Sequence, residues 1–185
     1  MSMIIGLTGA NASGKGTITS ILKENYGFEI ISLSDVIREE AAKKKLEPSR
    51  ENLINIGNEL RENYGAGVLA KLIKKRIDSH DWAIDSIRNP AEVKELREIK
   101  KFTLIAVYAP PKLRYERESE RKRHGFTKTY EEWLEIEKKE NNSNPQCQQI
   151  HECVKLADYN ITNDSTKDEL IKKVEYTLNI IKGKQ

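Results

Sequence analysis

Lys15 sits in a setting that suits one kind of chemistry, the holding of a phosphate chain. It directly follows Gly14, and Gly9 precedes at the Walker A spacing. Glycines at these places let the backbone fold tightly around an anion with successive N–H groups turned inward. The stretch Gly9-Ala10-Asn11-Ala12-Ser13-Gly14-Lys15-Gly16-Thr17 supplies those amides, and the Lys15 ammonium reaches the outer phosphates. One position departs from the pattern. The residue after the lysine is ordinarily Ser or Thr, whose hydroxyl holds Mg²⁺; here it is Gly16, with Thr17 next. A glycine-containing turn with a chance lysine is the plainer reading. The flanks argue against it, because an apolar run precedes the loop and a helical pattern follows. That helix points its positive end at the same spot.

Other candidates stand where further apolar runs end. Asp85 follows Trp82-Ala83-Ile84 and could orient magnesium or its waters; as a plainer role it could serve the start of a helix. Arg38 and Arg88 can each fork onto phosphate oxygens with two hydrogen bonds, or pair with nearby glutamates on the surface. Asp35 is a carboxylate beside Arg38. Arg114, Arg117 and Arg121 recur at i, i+3 and i+7, so one helical face carries all three. Interleaved Glu116, Glu118 and Glu120 leave two readings open, a solvated charged face or a mobile lid closing over a nucleotide. In the lid reading Arg123 joins the set and His124-Gly125 forms a bend.

The elements that must hold these residues follow from periodicity. Strands are predicted over residues 3–7, 28–33, 82–86, 102–108 and 157–163. Between them lie helical patterns over 17–25, 35–45, 49–64, 68–77, 90–100, 112–122, 130–139 and 146–156, with a last helix after Ser165 or Thr166 and a frayed tail from Lys182. Gly27 suits a C-cap, and Ser34, Ser49 and Thr129 suit N-caps. The polar run Asn141-Asn142-Ser143-Asn144-Pro145 reads as a loop. Alternating strands and helices imply an α/β domain with a five-stranded parallel sheet covered on both faces. The second and third strands are separated by a block of helices rather than one crossover, an insertion on one edge. Ligands of such sheets gather at the carboxyl ends of the strands, which is where Lys15, Asp35, Arg38, Asp85, Arg88, Asn163 and Asp164 fall.

Composition narrows the class. At 185 residues the chain forms one domain. Its formal net charge is only +3, so a general polyanion-binding surface is not indicated and nucleic acid is not the expected partner. Cys147 and Cys153 are too few and too close for a disulfide framework or zinc site and suit a reducing compartment. The apolar runs are too short to span a membrane, and a first strand starting at Met3 leaves no room for a signal peptide. A cytoplasmic protein is expected, as a monomer or homodimer.

Together these motifs resemble the nucleoside and nucleotide monophosphate kinases of the P-loop class. Gly14-Lys15-Gly16-Thr17 is similar to the adenylate kinase form of the loop, which also has glycine after the lysine. Ile31-Ser32-Leu33-Ser34-Asp35-Val36-Ile37-Arg38 is similar to the family segment that opens the acceptor-binding helices. Ile84-Asp85-Ser86-Ile87-Arg88 is similar to its third strand end, with the arginine one residue nearer. The C-terminal half resembles dephospho-CoA kinases, in Ala157-Asp158-Tyr159-Asn160-Ile161-Thr162-Asn163-Asp164 and in the Arg117/Arg121 pair, and the whole chain resembles small archaeal-type kinases related to both branches. The resemblance implies a P-loop NTPase three-layer fold with a helical acceptor-binding insertion at 35–78 and a small lid at about 112–140. It implies ATP and Mg²⁺ as cofactors, with residues 9–17 on the donor phosphates and Asn163 and Asp164 near the base. Thr17 and Asp85 fall to the metal, Arg38 and Arg88 to the acceptor phosphate, and Arg117 and Arg121 to closure over the transfer. The acceptor is a nucleoside or deoxynucleoside monophosphate, or else dephospho-CoA, for which Asp35 is the candidate base. An ATP-binding regulatory or nucleic-acid-associated module is the reading from another class; it leaves the acceptor-side arginines without a purpose.

Overall fold

The apolar run after Met3 becomes β1 (Ile4–Thr8), buried along its whole length at the centre of the sheet. The computed structural model describes residues 2–121, 128–140, 144 and 146–184. β2 (Glu29–Ser32), β3 (Trp82–Ile87), β4 (Phe102–Tyr108) and β5 (Tyr159–Thr162) complete a five-stranded sheet in the order β2-β3-β1-β4-β5. Every strand pair is parallel. The chain leaves β1 with neighbours on both sides, so its carboxyl end opens at the topological switch point, where ligands bind in open α/β sheets.

Alternation along the strands divides the core into two. On one face Ile5, Leu7, Ala83, Ile105 and Val107 pack under α1 (Lys15–Tyr26) and α9 (Lys167–Gly183). On the other, Ile4, Ile84, Ile87 and Leu104 pack under a larger helical layer. That layer is α2 (Leu33–Lys43), α3 (Arg50–Tyr64), α4 (Val68–Lys74), α5 (Pro90–Leu96) and α8 (Ile150–Lys155). The block between β2 and β3 therefore differs from an insertion confined to one edge. Leu69, Ala70 and Ile73 of α4 join the same core as Ile4 of the central strand, because burying an apolar stripe against the sheet is worth more than leaving it at the rim. α6 (Pro111–Glu120) and α7 (Tyr130–Glu140) follow β4 as a pair, held by edge-on contacts of Tyr115 with Tyr130 and Trp133.

Several element ends move from their expected places. α2 begins two residues early, since Ser32 rather than Ser34 is the N-cap. The Ser32 hydroxyl accepts from the Ser34 N–H, and Asp35 accepts from the Ser32 N–H, a capping box. Ser49 and Thr129 cap as expected, Thr129 through a reciprocal pair with Glu132. α4, α5 and α6 stop short at Lys74, Leu96 and Glu120. The expected helix at 146–156 shrinks to Ile150–Lys155, because the Gln149 N–H is drawn to the Arg88 carbonyl at 2.7 Å. The tail does not fray at Lys182; α9, capped by Thr166, runs to Gly183 and buries Ile181. Arg123, the His124-Gly125 bend and most of the 141–145 loop lie outside the described residues.

Candidate functional site

The loop between β1 and α1 is shaped by two glycines at which any other residue would be strained. Gly9 has φ +137°, and a Cβ there would lie 2.2 Å from the Val107 carbonyl oxygen. Gly14 has φ +103°, and a Cβ there would lie 1.9 Å from Nδ2 of Asn163. The backbone amides of Gly14, Lys15 and Gly16 have no hydrogen-bond partner among the described residues. Three consecutive unpaired donors at a helix N-terminus form a concavity for an anion. Gly16 is a different case: its φ is ordinary and no atom lies within 4 Å of a Cβ built on it. The missing hydroxyl at that position is not a steric necessity.

Lys15 is buried, and its Nζ donates to the carbonyls of Gly9 (2.8 Å) and Ala10 (2.9 Å). Its pKa is lowered to about 7, first by burial and then by the repulsion of Arg88 and Arg114, against which Asp85 and Glu137 act. Arg117 is likewise lowered, by burial and by Arg121. The protein has thus crowded cations that repel one another around unpaired amides, an arrangement a polyanion relieves.

The carboxyl end of β3 is irregular. Gly6 and Thr8 of β1 pair with Ile84 and Ile87, so β3 carries one extra residue. Ser86 takes a left-handed φ of +65° there, and Ile84 and Ile87 fall into the same core. Asp85, half-buried, accepts the Ser86 N–H at 2.6 Å with one oxygen. Its other oxygen takes no hydrogen bond among the described residues, and its charge is felt by Lys15. Thr17, half-buried at the start of α1, is the remaining candidate for a metal. A hard cation needs oxygen donors and tolerates several waters, so an oxygen pair of Asp85 and Thr17 fits magnesium by donor type.

Arginines border the loop. Arg88 Nη2 donates to Oδ1 of Asn11 at 3.0 Å and Nη1 to Gln148 at 3.3 Å, which turns the guanidinium to the loop. Arg117 donates to the Asn163 carbonyl at 3.2 Å and lies at the edge of reach of the Ala12 carbonyl. Arg114, left unassigned by its spacing alone, is buried, donates to the carbonyls of Ala109 and Asn11, pairs with Glu137 and stacks on Trp133. A solvated charged face is therefore wrong for Arg114 and Arg117. Arg121, the C-cap of α6, is exposed.

Other expected residues have turned elsewhere. Asn163 is buried and donates to the Ser13 carbonyl at 2.9 Å, so its side chain braces the loop rather than offering itself to a base. Asp164 pairs with Lys173. Arg38, 52% exposed, pairs with Asp35 at 2.9 Å and bonds Ser34, a surface pairing, though with an aspartate and not the glutamates expected. Asp35 has both oxygens engaged, one on Arg38 and one on the cap. Glu137 and Gln148 had no sequence signal; Glu92 had one, since Asn89-Pro90-Ala91-Glu92 is a capping box.

A central parallel strand, an anion-ready loop and arginines from two further strand ends define a P-loop kinase-like α/β domain. A family model described as "AAA domain" matches residues 8–135. The chain is 39% identical over 181 residues to a UPF0200 protein of Sulfurisphaera tokodaii, covering 95% of each chain. It is 36% identical to a UPF0200 protein of Pyrococcus abyssi, covering 94% of each. It belongs to the UPF0200 family. Among solved structures, shikimate kinase from Acinetobacter baumannii in complex with shikimate superposes with a TM-score of 0.62 at 16% identity. That alignment covers all of this chain and 96% of the other, and at this identity the likeness is one of fold. Among the described residues no helix is long and apolar enough to cross a membrane.

Proposed function

We propose that the protein is an ATP- and magnesium-dependent kinase whose acceptor is a small molecule that already bears a phosphate, foremost a nucleoside or deoxynucleoside monophosphate. The observation that carries this reading is Arg88. An arginine from the end of β3 reaches the phosphate loop itself, at Asn11, beside Lys15. A transferase needs a cation between donor and acceptor phosphates, and Arg88, coming from a different strand end than the loop, is suited to that place.

In this reading the loop amides from Gly9 to Thr17 cradle the donor phosphates and Lys15 stabilises the moving phosphoryl group. Thr17 and Asp85 would hold magnesium through their oxygens, and the ion would supply positive charge against the donor phosphates. Arg88 and Arg38 hold the acceptor phosphate, with α2, α3 and α4 within 35–78 as the acceptor-binding block. Arg117 and Arg121 belong to a lid at about 112–140 that excludes water. Asn163 positions the loop, and the base rests against the backbone near Asp164. A reducing, ATP-containing cytoplasm suits a chain whose cysteines are both free.

Transfer to a hydroxyl, as in dephospho-CoA, needs a base. Asp35 is engaged twice, which favours an acceptor that is already ionised. A coupled assay of ATP consumption tests this with nucleoside monophosphates, deoxynucleotides and dephospho-CoA. Consumption equally fast without any acceptor would convert the reading to an ATPase; turnover with dephospho-CoA alone would move it to the hydroxyl acceptor.

A further inference from the structure

A buried ion pair lies outside the loop and is used by nothing described so far. Arg61 of α3 donates from Nη2 (2.9 Å) and Nε (3.3 Å) to Oε1 of Glu92. Their side chains are 4% and 0% exposed. The other oxygen of Glu92 accepts two backbone N–H groups, of Arg88 at 2.9 Å and of Asn89 at 3.0 Å. One carboxylate thus joins the helical block to the turn that carries the loop-facing arginine.

The turn is gripped from other sides as well. The Arg88 carbonyl accepts the Gln149 N–H, and Asn89 Nδ2 donates to the Cys147 carbonyl at 2.8 Å. Thr8, the last residue of β1, donates its hydroxyl to the Ile87 carbonyl at 2.9 Å. Glu92 is the residue that links this turn to α3 through Arg61. α3 also fits closely here: a Cβ on Gly57 would lie 3.1 Å from Ile37 of α2 and 3.3 Å from Nη1 of Arg61.

A buried ion pair is a poor source of stability, because removing two charges from water offsets most of their attraction. A capping box needs only the carboxylate and the cap residue. Capping alone does not call for Arg61, and the pair adds little net stability, although loss of either partner would leave the other a buried unpaired charge. We infer that Arg61 and Glu92 are positioning residues that set the aim of Arg88, tying the site's second arginine to the helices proposed to receive the acceptor. This rests on the kinase reading for its consequence, but the placement of the turn can be measured without it.

The test uses Arg61→Met in the full chain, with Glu92→Gln as the second variant should the first fail to fold. Glutamine keeps an oxygen for the two amides and removes the charge. Two readouts are taken. The first is the ¹⁵N–¹H signals and hydrogen exchange of the Arg88 and Asn89 amides. The second is steady-state kinetics with AMP, GMP, CMP and UMP as acceptors. The expected result is a shift of both amide signals and faster exchange there. The acceptor KM should also rise about tenfold or more, as misplacement of a binding group does, with a smaller change in the KM for ATP. In an Arg88→Ala background, Arg61→Met should then add little to the acceptor KM, because the residue it aims is gone. Unmoved Arg88 and Asn89 signals would overturn the inference, and so would an acceptor effect that is fully additive with Arg88→Ala. If wild-type protein turns over none of the four acceptors while the amide signals still move, the acceptor reading falls and the positioning of the turn stands.

Discussion

The two sides of the candidate site are built by different means. On the donor side, shape is fixed by backbone and close contact. Gly9 and Gly14 are the only residue type their surroundings admit, Asn163 is wedged against Gly14, and Lys15 lies buried on two loop carbonyls. On the acceptor side, Arg38 is a long, half-exposed side chain held by a surface pair with Asp35. Such pairs contribute little and exchange easily. The contrast teaches that the loop is shaped before any ligand arrives, whereas on the proposed acceptor side Arg38 is held only by an exchangeable surface pair. Arg88 stands between the two regimes, fixed by its turn yet presented on a flexible stem.

The largest effect expected on the donor side is that of Lys15→Ala. Loss of a preorganised cation at the transferred phosphoryl group should lower kcat by on the order of 10²–10³-fold, read in the coupled assay. A fall of less than tenfold would mean that the loop lysine is spectator to the reaction, and the donor side would lose its claim to be the chemical centre.

Gly14→Ala breaks the same side sterically rather than electrostatically. A Cβ 1.9 Å from Nδ2 of Asn163, on a residue at φ +103°, must displace the amide that holds Ser13. Destabilisation of about 2 kcal/mol is expected from the backbone conformation and the displaced contact together. Chemical denaturation measures it, and an unchanged midpoint would show the loop to be far softer than its contacts imply.

Arg38→Ala probes the other side and should separate the two. The acceptor KM should rise about tenfold, the worth of one charge-assisted hydrogen bond, while the melting temperature stays where it was. A variant that melts early but binds acceptor normally would reverse the comparison, making Arg38 a structural residue of α2.

Proton linkage gives a smaller and distinctive signal. Free Lys15 titrates at about pH 7 because burial disfavours its charge and Arg88 and Arg114 repel it. Bound phosphates favour the charged form and raise that pKa. At pH 8 the free amine is largely neutral and the bound one charged, so nucleotide binding takes up a proton; at pH 6 both are charged and none is taken up. Calorimetry of ATP binding in two buffers of different ionisation enthalpy reads the difference. Equal uptake at both pH values would mean that Lys15 keeps its charge before the ligand arrives.

The same division explains what could be read from the sequence. The sheet, its order of elements and the loop were legible because they are written in local patterns: apolar runs, caps, and glycines at fixed spacing. β4 fell on the residues expected of it, Phe102–Tyr108. What escaped depends on contacts between distant segments. Arg114 looked like one of three arginines on a charged face, and only the approach of Glu137 and Trp133 buries it. Asn163 was placed near the base by analogy, but its reach of 150 positions back to Ser13 gives it to the loop. Ser32 displaced Ser34 as cap because Asp35 three residues on completes a reciprocal pair. Glu92 stands at capping-box spacing from Asn89, a local signal, but nothing local marks it as the partner of Arg61.

The smallest expected effect concerns the residue at which the loop departs from its pattern. Gly16 lies in the first turn of α1 with open space where a side chain would grow, unlike Gly9 and Gly14. Packing therefore does not account for the missing hydroxyl. Gly16→Ser should fold normally and gain about 0.5 kcal/mol from lower unfolded-state entropy. It also sets a hydroxyl beside Lys15 at the position where such loops ordinarily hold magnesium. The concentration of Mg²⁺ giving half-maximal activity should fall severalfold, with little change in either substrate KM. If the requirement for Mg²⁺ is unchanged while stability rises, the metal does not approach this end of the loop. Asp85 and the phosphates would then hold it without help from α1, and Thr17 would lose its proposed role along with Gly16.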